Sequence, residues 1–116
     1  MRVNIIKEWK IATAYYTIYF SIYSVLMKIG IKSEIHSCTI EFVKRFLSDY
    51  FNKEEIKFME DAQKLRIDSQ YYVNKNIPDK KYENLIEETP KFFIKCKDVM
   101  KKINEKKISE IRDKLK

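Results

Sequence analysis

Residues 14–23 read Ala-Tyr-Tyr-Thr-Ile-Tyr-Phe-Ser-Ile-Tyr, and the helix predicted around this run decides the fold. Helical periodicity extends from about residue 4 to Ile29, and Gly30 then supplies a natural left-handed stop. One broad face is apolar throughout: Ile11, Ala14, Tyr15, Ile18, Ile22, Val25 and Ile29. Further large side chains widen this apolar face: Tyr16, Tyr19, Phe20, Tyr23 and Met27. The remaining polar strip is narrow and consists of small side chains: Thr13, Thr17, Ser21 and Ser24. Such a helix is central in a bundle or shared between subunits.

Three further helical segments are predicted downstream. The second runs from Ser33 to about Tyr50, and the third starts with Asn52 as N-cap and ends around residues 74–76. The fourth starts near residue 78, and its apolar stripe passes through Pro90, which predicts one kinked helix. A fresh helix beginning at Thr89-Pro90 is the alternative. The predicted apolar stripe of the second helix is Ile35, Cys38, Thr39, Phe42, Phe46 and Leu47. That of the fourth helix is Tyr82, Leu85, Ile86, Thr89, Phe93, Cys96, Met100 and Ile103.

The composition supports an all-helical domain. Glycine occurs once and proline twice in 116 residues, and chains this poor in turn formers are rarely built from strands. We therefore predict an all-α, up-and-down bundle of four to five helices. It forms a single domain over residues 1–116, with a basic helical tail from about residue 104. Beyond Ile103 the stripe slips to other positions, so the tail is predicted to be a weaker helix or to fray.

The positive charge is concentrated near the C-terminus. The formal net charge is +7, and residues 91–116 hold ten Lys or Arg against four Asp or Glu, a net of +6. A basic segment of this kind can attract RNA or an acidic partner. It is also what a solvated, lysine-rich helix end looks like, and no arginine–aromatic alternation beyond Phe93 distinguishes a nucleic-acid arm.

Neither a membrane nor a metal is expected. Residues 11–27 carry no formal charge, but four tyrosines and several hydroxyls favour a buried central helix over a spanning one. Cys38 and Cys96 lie on predicted apolar faces, where reduced thiols behave as small core residues, and a cytoplasmic location fits them. His36 is the only histidine and has no second ligand spaced for a metal, so no metal or cofactor is predicted.

The order of landmarks along the chain resembles a HEPN domain (higher eukaryote and prokaryote nucleotide-binding). Three of these landmarks occur in sequence near the N-terminus: the Ala-Tyr-Tyr helix, the Lys28-Ile-Gly-Ile turn, and Ser33-Glu-Ile-His at a helix start. Further along, Leu65-Arg66-x-x-x-x-Tyr71-Tyr72 resembles the family's Arg-x(4–6)-His helix, and Phe92-Phe93 falls in the last long helix. The resemblance covers about residues 10–105.

The resemblance implies a homodimer and RNA-related chemistry. Many family members are metal-independent RNases in which Arg and His of both subunits meet in a cleft, and many are paired with a small nucleotidyltransferase in toxin–antitoxin modules. Arg66 matches the family arginine, whereas Tyr71 stands where the histidine often falls. Arg66, Asp68, Tyr71 and Tyr72 are therefore the candidate binding residues, with Arg66 and Tyr71 the candidate catalytic pair. A tyrosine with a pKa near 10 is a poor base at neutral pH.

Three functions remain open at this point. The first is a degenerate, dimeric module that binds RNA, a nucleotide or a nucleotidyltransferase partner. The second is an active, metal-independent RNase using Arg66 and Tyr71. The third is a purely structural helical dimer domain or a bundle that binds a small ligand. Arg66 itself has an ordinary alternative, which is to pair with Asp61 or Asp68 or to lay its stem along the apolar stripe.

Overall fold

The computed structural model describes residues 5–32, 36–71 and 78–115, and the side chains at 5, 36, 37, 70 and 71 lie outside that description. Five helices occupy the described residues, and none of those residues is in a strand. They are α1 (Ile5–Ile29), α2 (His36–Phe46), α3 (Lys53–Tyr71), α4 (Asp79–Lys102) and α5 (Glu105–Lys114). The predicted all-α bundle of four to five helices is confirmed.

Helix α1 lies at the centre of the bundle and packs against α3, α4 and α5. Lys7 Nζ lies 2.9 Å from the Asp79 carboxylate at the start of α4. Near the other end, Lys28 donates a hydrogen bond to the Met100 carbonyl, so α1 and α4 run parallel. The whole predicted apolar face of α1 is buried, together with Tyr19, Ser21 and Leu26. Among the described helices, α1 contributes the most buried apolar residues to the core.

The end of α1 is closed as its sequence predicts. Gly30 has φ +92°, a left-handed conformation that side chains with a Cβ rarely adopt. Its N–H donates to the Met27 carbonyl at 3.0 Å, and the Ile31 N–H donates to the Leu26 carbonyl at 2.9 Å. These two bonds form a Schellman cap. The Arg112 guanidinium of α5 fills the space that a Cβ on Gly30 would enter, with Nη1 2.8 Å from that position.

Helix α3 begins at the predicted cap. The Asn52 side chain accepts a hydrogen bond from the Glu55 N–H at 2.8 Å, and the Glu55 carboxylate accepts one from the Asn52 N–H at 2.9 Å. This reciprocal pair is a capping box, and it satisfies two backbone donors that the helix cannot satisfy itself. Helix α3 runs antiparallel to α4, because Glu55 near its start pairs with Lys95 near the end of α4. The predicted end of this helix around residues 74–76 lies outside the described residues.

Helix α2 is shorter and is rotated relative to the prediction. It ends at Phe46 rather than near Tyr50, because the Leu47 carbonyl accepts hydrogen bonds from the N–H groups of Tyr50 and Phe51 in a tight turn. Both Leu47 and Phe51 are buried, so the core holds that turn in place. Cys38, predicted to be a core residue, is exposed. Thr39 and Leu47 are buried as predicted, and Ile40 and Val43 are buried although the predicted stripe did not include them. The predicted start at Ser33 and the predicted stripe residue Ile35 lie outside the described residues.

Helix α4 passes through Pro90 without a break, so the alternative of a fresh helix at Thr89-Pro90 is wrong. Thr89 is buried and its hydroxyl donates to the Leu85 carbonyl at 2.6 Å, which keeps a polar group satisfied beside the proline. The predicted stripe is right at Leu85, Thr89, Cys96 and Ile103 but wrong by one residue in between: Phe92 is buried, whereas Phe93 and Ile86 are exposed. Burial, and more weakly Glu55, raise the pKa of the Cys96 thiol to about 12.

The tail forms a separate helix rather than a frayed extension of α4. Ile103 adopts an extended conformation that ends α4, and Asn104 caps α5 by accepting a hydrogen bond from the Lys107 N–H. Ile111 is buried in the core and anchors α5 to the bundle. Lys107 Nζ lies 3.1 Å from the Asp49 carboxylate, which ties the tail to the turn between α2 and α3.

Gly30→Ala should destabilise the fold by about 1–2 kcal/mol, because a Cβ is strained in the left-handed region. It would also clash with Arg112. Urea denaturation measures the loss as a lower midpoint at constant slope. The double variant Gly30→Ala, Arg112→Ala should recover only the part due to the clash. An unchanged midpoint in the single variant would contradict this account of the cap.

Candidate functional site

Arg66 is held by two adjacent tyrosines of α1. Its guanidinium carbon lies 4.8 Å from the ring centroid of Tyr15 and 4.8 Å from that of Tyr16. Nη2 donates a hydrogen bond to the Tyr16 hydroxyl at 2.5 Å. The Tyr15 ring is buried, and the Tyr16 ring is 41% exposed. Arg66 thus reaches from the core to the surface along an aromatic wall, with its charged tip beside the exposed tyrosine.

The helix geometry explains this notch. Successive residues on an α-helix point about 100° apart, so neighbouring tyrosines can enclose a side chain from the next helix. The two rings meet edge to face, 5.5 Å between centroids and 70° between planes. Cations are attracted to aromatic faces within about 6 Å, with roughly 0.5–1 kcal/mol for each contact at exposed sites. Arg66 therefore has a defined position without a carboxylate partner in the contacts described.

One donor of Arg66 has no acceptor. Nε is buried and makes no hydrogen bond to any described residue. Leaving such a donor unpaired costs about 1–3 kcal/mol, more for a charged group, and the stacking on two rings offsets part of that cost. An arginine kept at this cost, with its tip at the surface, is a candidate for a role in binding.

Asp68 lies on a different side of α3 from Arg66. Residues two apart on a helix do not share a face, and Asp68 lines a groove of about 200 Å³ between α3 and α4. The groove is apolar at its base and charged at its rim: Lys57, Phe58, Asp61, Ala62, Lys64, Leu65, Asp68, Lys81, Asn84 and Leu85. Asp61, offered as an alternative partner for Arg66, lies in the same groove. Tyr71 is the last residue of α3; its side chain, like the whole of Tyr72, lies outside the described residues.

The partners of Arg66 were not among the predicted site residues. Tyr15 lies on the predicted buried face of the first helix and Tyr16 beside it, but neither was assigned a role at the site. The available signal was the pair itself, because two adjacent aromatic residues on the rim of a central helix make a notch for a cation. Which cation enters the notch depends on the alignment of α3 against α1, and sequence periodicity does not fix that alignment.

A stripe of exposed and partly exposed side chains runs along the whole of α1 beside Arg66. Its members recur at alternating spacings of three and four, and we call them the α1 seam: Ile6, Trp9, Thr13, Tyr16, Phe20, Tyr23 and Met27. Trp9, Phe20 and Ile6 are 75%, 68% and 67% exposed. A three–four repeat of apolar residues is the pattern by which one helix packs along another.

The Ser and Thr hydroxyls in and beside the α1 seam all donate hydrogen bonds. Each donates to the carbonyl four residues earlier: Thr13 to Trp9, Thr17 to Thr13, Ser21 to Thr17 and Ser24 to Phe20. Such groups can be covered by another helix without an unsatisfied donor. Ser21, which was predicted to be on the polar strip, is already buried.

The electrostatics around the site keep the nearby phenol neutral. Burial, and more weakly the Glu60 carboxylate, raise the pKa of Tyr19 well above its usual value. Tyr19 packs on Tyr15 with 4.6 Å between ring centroids.

Within the described residues, no group of three or more His, Cys, Asp or Glu could hold a metal ion. No helix there has both the length and the apolarity to cross a membrane.

A family model of the HEPN domain matches residues 6–113. The chain belongs to the HEPN family. This match spans all five helices and both elements of the site, the α1 seam and Arg66. Neither the search of curated proteins nor that of solved structures found a match. Membership in the HEPN family supports a nucleotide- or RNA-related function in general terms.

Proposed function

We propose that this HEPN protein is a homodimer that binds RNA or a nucleotide through Arg66, as the degenerate component of a toxin–antitoxin-like module. The observation that carries the proposal is the position of Arg66, stacked on Tyr15 and Tyr16 at the edge of an exposed apolar seam. A second copy of the chain covering that seam would bring two Arg66 side chains toward one shared cleft.

The α1 seam has the size and character of a dimer contact. Its large side chains leave roughly 600 Å² of apolar surface exposed, given the area that each such residue can bury. That is close to the ~800 Å² that each partner contributes to a standard interface, and it reaches the upper end of what monomers expose. Trp, Tyr, Phe and Met are also the residue types enriched in interfaces. Because the seam carries no formal charge, two copies can face each other without burying unpaired ions.

Arg66 supplies what phosphate recognition requires. A guanidinium offers several donors in a rigid fork, and its charge persists at every physiological pH. Tyr15 and Tyr16 fix the plane of that fork, which reduces the conformational entropy lost on binding.

The basic C-terminal segment, residues 91–116, supports a general attraction to RNA rather than specific recognition. Several of its lysines already have partners inside the fold: Lys95 with Glu55, Lys102 with Asp98, and Lys107 with Asp49. Lys101 and Lys106 are exposed on α4 and α5. Charges of this kind add a diffuse, salt-dependent attraction to any polyanion.

The toxin–antitoxin part of the proposal rests on the family resemblance. A small nucleotidyltransferase encoded next to this chain, and its co-purification with the chain, would support it. In such a pair the missing histidine would be tolerated, because a component that binds RNA or a partner does not need a general base.

The protein should sediment at twice its chain mass of 14.1 kDa at micromolar concentration. Phe20→Lys should convert it to a folded monomer, since a charge in the centre of an apolar interface is left unpaired. Ile94→Lys is the matched control, a similarly exposed apolar residue on α4, and should leave the dimer intact. A wild-type monomer at 14.1 kDa would contradict the dimer.

Arg66→Ala should weaken binding of single-stranded RNA at least tenfold, the loss expected from about 1.4 kcal/mol or more of charge-assisted hydrogen bonding. Its melting temperature should fall only slightly, because stacking on two rings is offset by removal of a buried unpaired donor. Replacing Lys101 and Lys106 by Gln should instead reduce the salt dependence of binding. Titrations at two salt concentrations separate the two effects. Unchanged affinity, or a sharp loss of stability, would make Arg66 a structural residue.

Cleavage of RNA by the pure protein should be weak or absent and insensitive to EDTA, because Tyr71 replaces the expected histidine. Vigorous cleavage that is lost in both Arg66→Ala and Tyr71→Phe would favour the alternative, an active metal-independent RNase. Gel assays with labelled single-stranded RNA, run with and without EDTA, distinguish the two results.

A further inference from the structure

We propose that Tyr16 is a positioning residue that links the α1 seam to Arg66, so that covering the seam fixes the RNA-binding guanidinium. The inference rests on the proposed function, in which Arg66 binds RNA in a dimer. It adds a role for one specific hydroxyl and predicts that self-association and affinity for RNA are coupled through it.

Within the described part of the chain, Tyr16 is the one residue that belongs both to the α1 seam and to the site around Arg66. On the site side, its hydroxyl accepts a hydrogen bond from Arg66 Nη2, and its ring centroid is 4.8 Å from the guanidinium carbon. On the seam side, it occupies the central position of the three–four repeat, and its ring centroid is 6.3 Å from that of Phe20. Its 41% exposure shows that the isolated chain covers the ring only partly.

The orientation of Arg66 makes the hydroxyl important. Nε is buried, so the stem of the guanidinium is enclosed, and only the end bearing the Nη atoms extends toward the exposed Tyr16. The Tyr16 hydroxyl is the hydrogen-bond acceptor described for that end, and it therefore sets where the Nη donors point. Tyr15, whose ring is buried, supplies stacking from the core side and cannot respond to a partner on the surface.

A second copy on the seam would restrict Tyr16. A half-exposed tyrosine samples several rotamers, and covering its ring by another helix removes most of that freedom. The Arg66 guanidinium is then presented to a phosphate already oriented, which raises affinity without any new contact to RNA. Tyr16 itself carries the coupling, because this one side chain contacts Arg66 and is also part of the α1 seam that the second copy covers.

The test compares Tyr16→Phe with Tyr23→Phe. Both remove one hydroxyl from the seam and keep the ring, but Tyr23 lies two helical turns further along α1, away from Arg66. Tyr16→Phe should leave the dimer dissociation constant within about threefold of wild type and weaken RNA binding roughly tenfold. Tyr23→Phe should change neither by more than about threefold. Dimerisation is measured by sedimentation, and binding is measured with a single-stranded RNA oligonucleotide.

A second readout reports on Arg66 without RNA. In the wild type, the Arg66 Nε–H NMR resonance should be shifted by the adjacent rings and protected from exchange with water, because Nε is buried. Tyr16→Phe should move it toward the position of a free arginine, and Tyr23→Phe should not.

The outcomes separate the inference from the proposed function. An unmoved resonance in Tyr16→Phe overturns the positioning role, and so does a moved resonance with unchanged RNA affinity. If the wild type binds no RNA, the proposed function fails, while the resonance still decides whether Tyr16 positions Arg66.

Discussion

The structure depends on how helix α1 is covered. Apolar side chains occupy most of its circumference, and α3, α4 and α5 together cover only part of it. The buried arc anchors each of those helices. Gly30 ends α1 at the point where Arg112 of α5 lies against the chain. The uncovered arc carries Trp9 and Phe20, which water solvates poorly. The same excess of apolar surface that stabilises the monomer thus leaves a face that favours a partner.

The candidate site follows from this arrangement. Tyr15 and Tyr16 are neighbours in sequence, yet they fall on either side of the boundary between the buried and exposed arcs of α1. Arg66 from α3 lies across that boundary, with its stem enclosed and its charged end at the surface. A cation can be held there only because stacking on two rings replaces part of the hydration that it loses. The site is therefore as stable as the packing of α1 against α3.

The sequence predicted best those features that depend on residues close together in the chain. The α1 face, its stop at Gly30 and the Asn52 cap each follow from a few neighbouring residues, and all three are confirmed. Features that depend on tertiary contact were less predictable. Phe92 and Phe93 are adjacent phenylalanines, and Phe92 is the one that packs on Phe51 and Phe58 and is buried.

The same distinction explains the error at α2 and decides between the two outcomes predicted for the tail, a weaker helix or fraying. Helix α2 could continue to Tyr50 on propensity alone, but burial of Leu47 and Phe51 stabilises a turn instead. The slip of the apolar stripe after Ile103 indicated a change, and the structure shows a capped second helix rather than fraying. At the site, sequence reasoning placed Arg66 on the edge of a stripe, but the notch that receives it is formed by another helix.

The bundle also limits the chemistry open to a tyrosine in place of the family histidine. Burial already raises the pKa of Tyr19 well above its usual value, since a phenolate is poorly tolerated in this interior. A phenol buried in the same way is ionised still less often at neutral pH, so little phenolate is present to act as a general base. A nearby cation acts in the opposite direction. The Arg66 guanidinium, however, is already engaged by the Tyr16 hydroxyl. Hydrogen-bond donation to phosphate requires no such shift, because a neutral phenol and a guanidinium both donate at physiological pH. Such donors are what the proposed binding function requires.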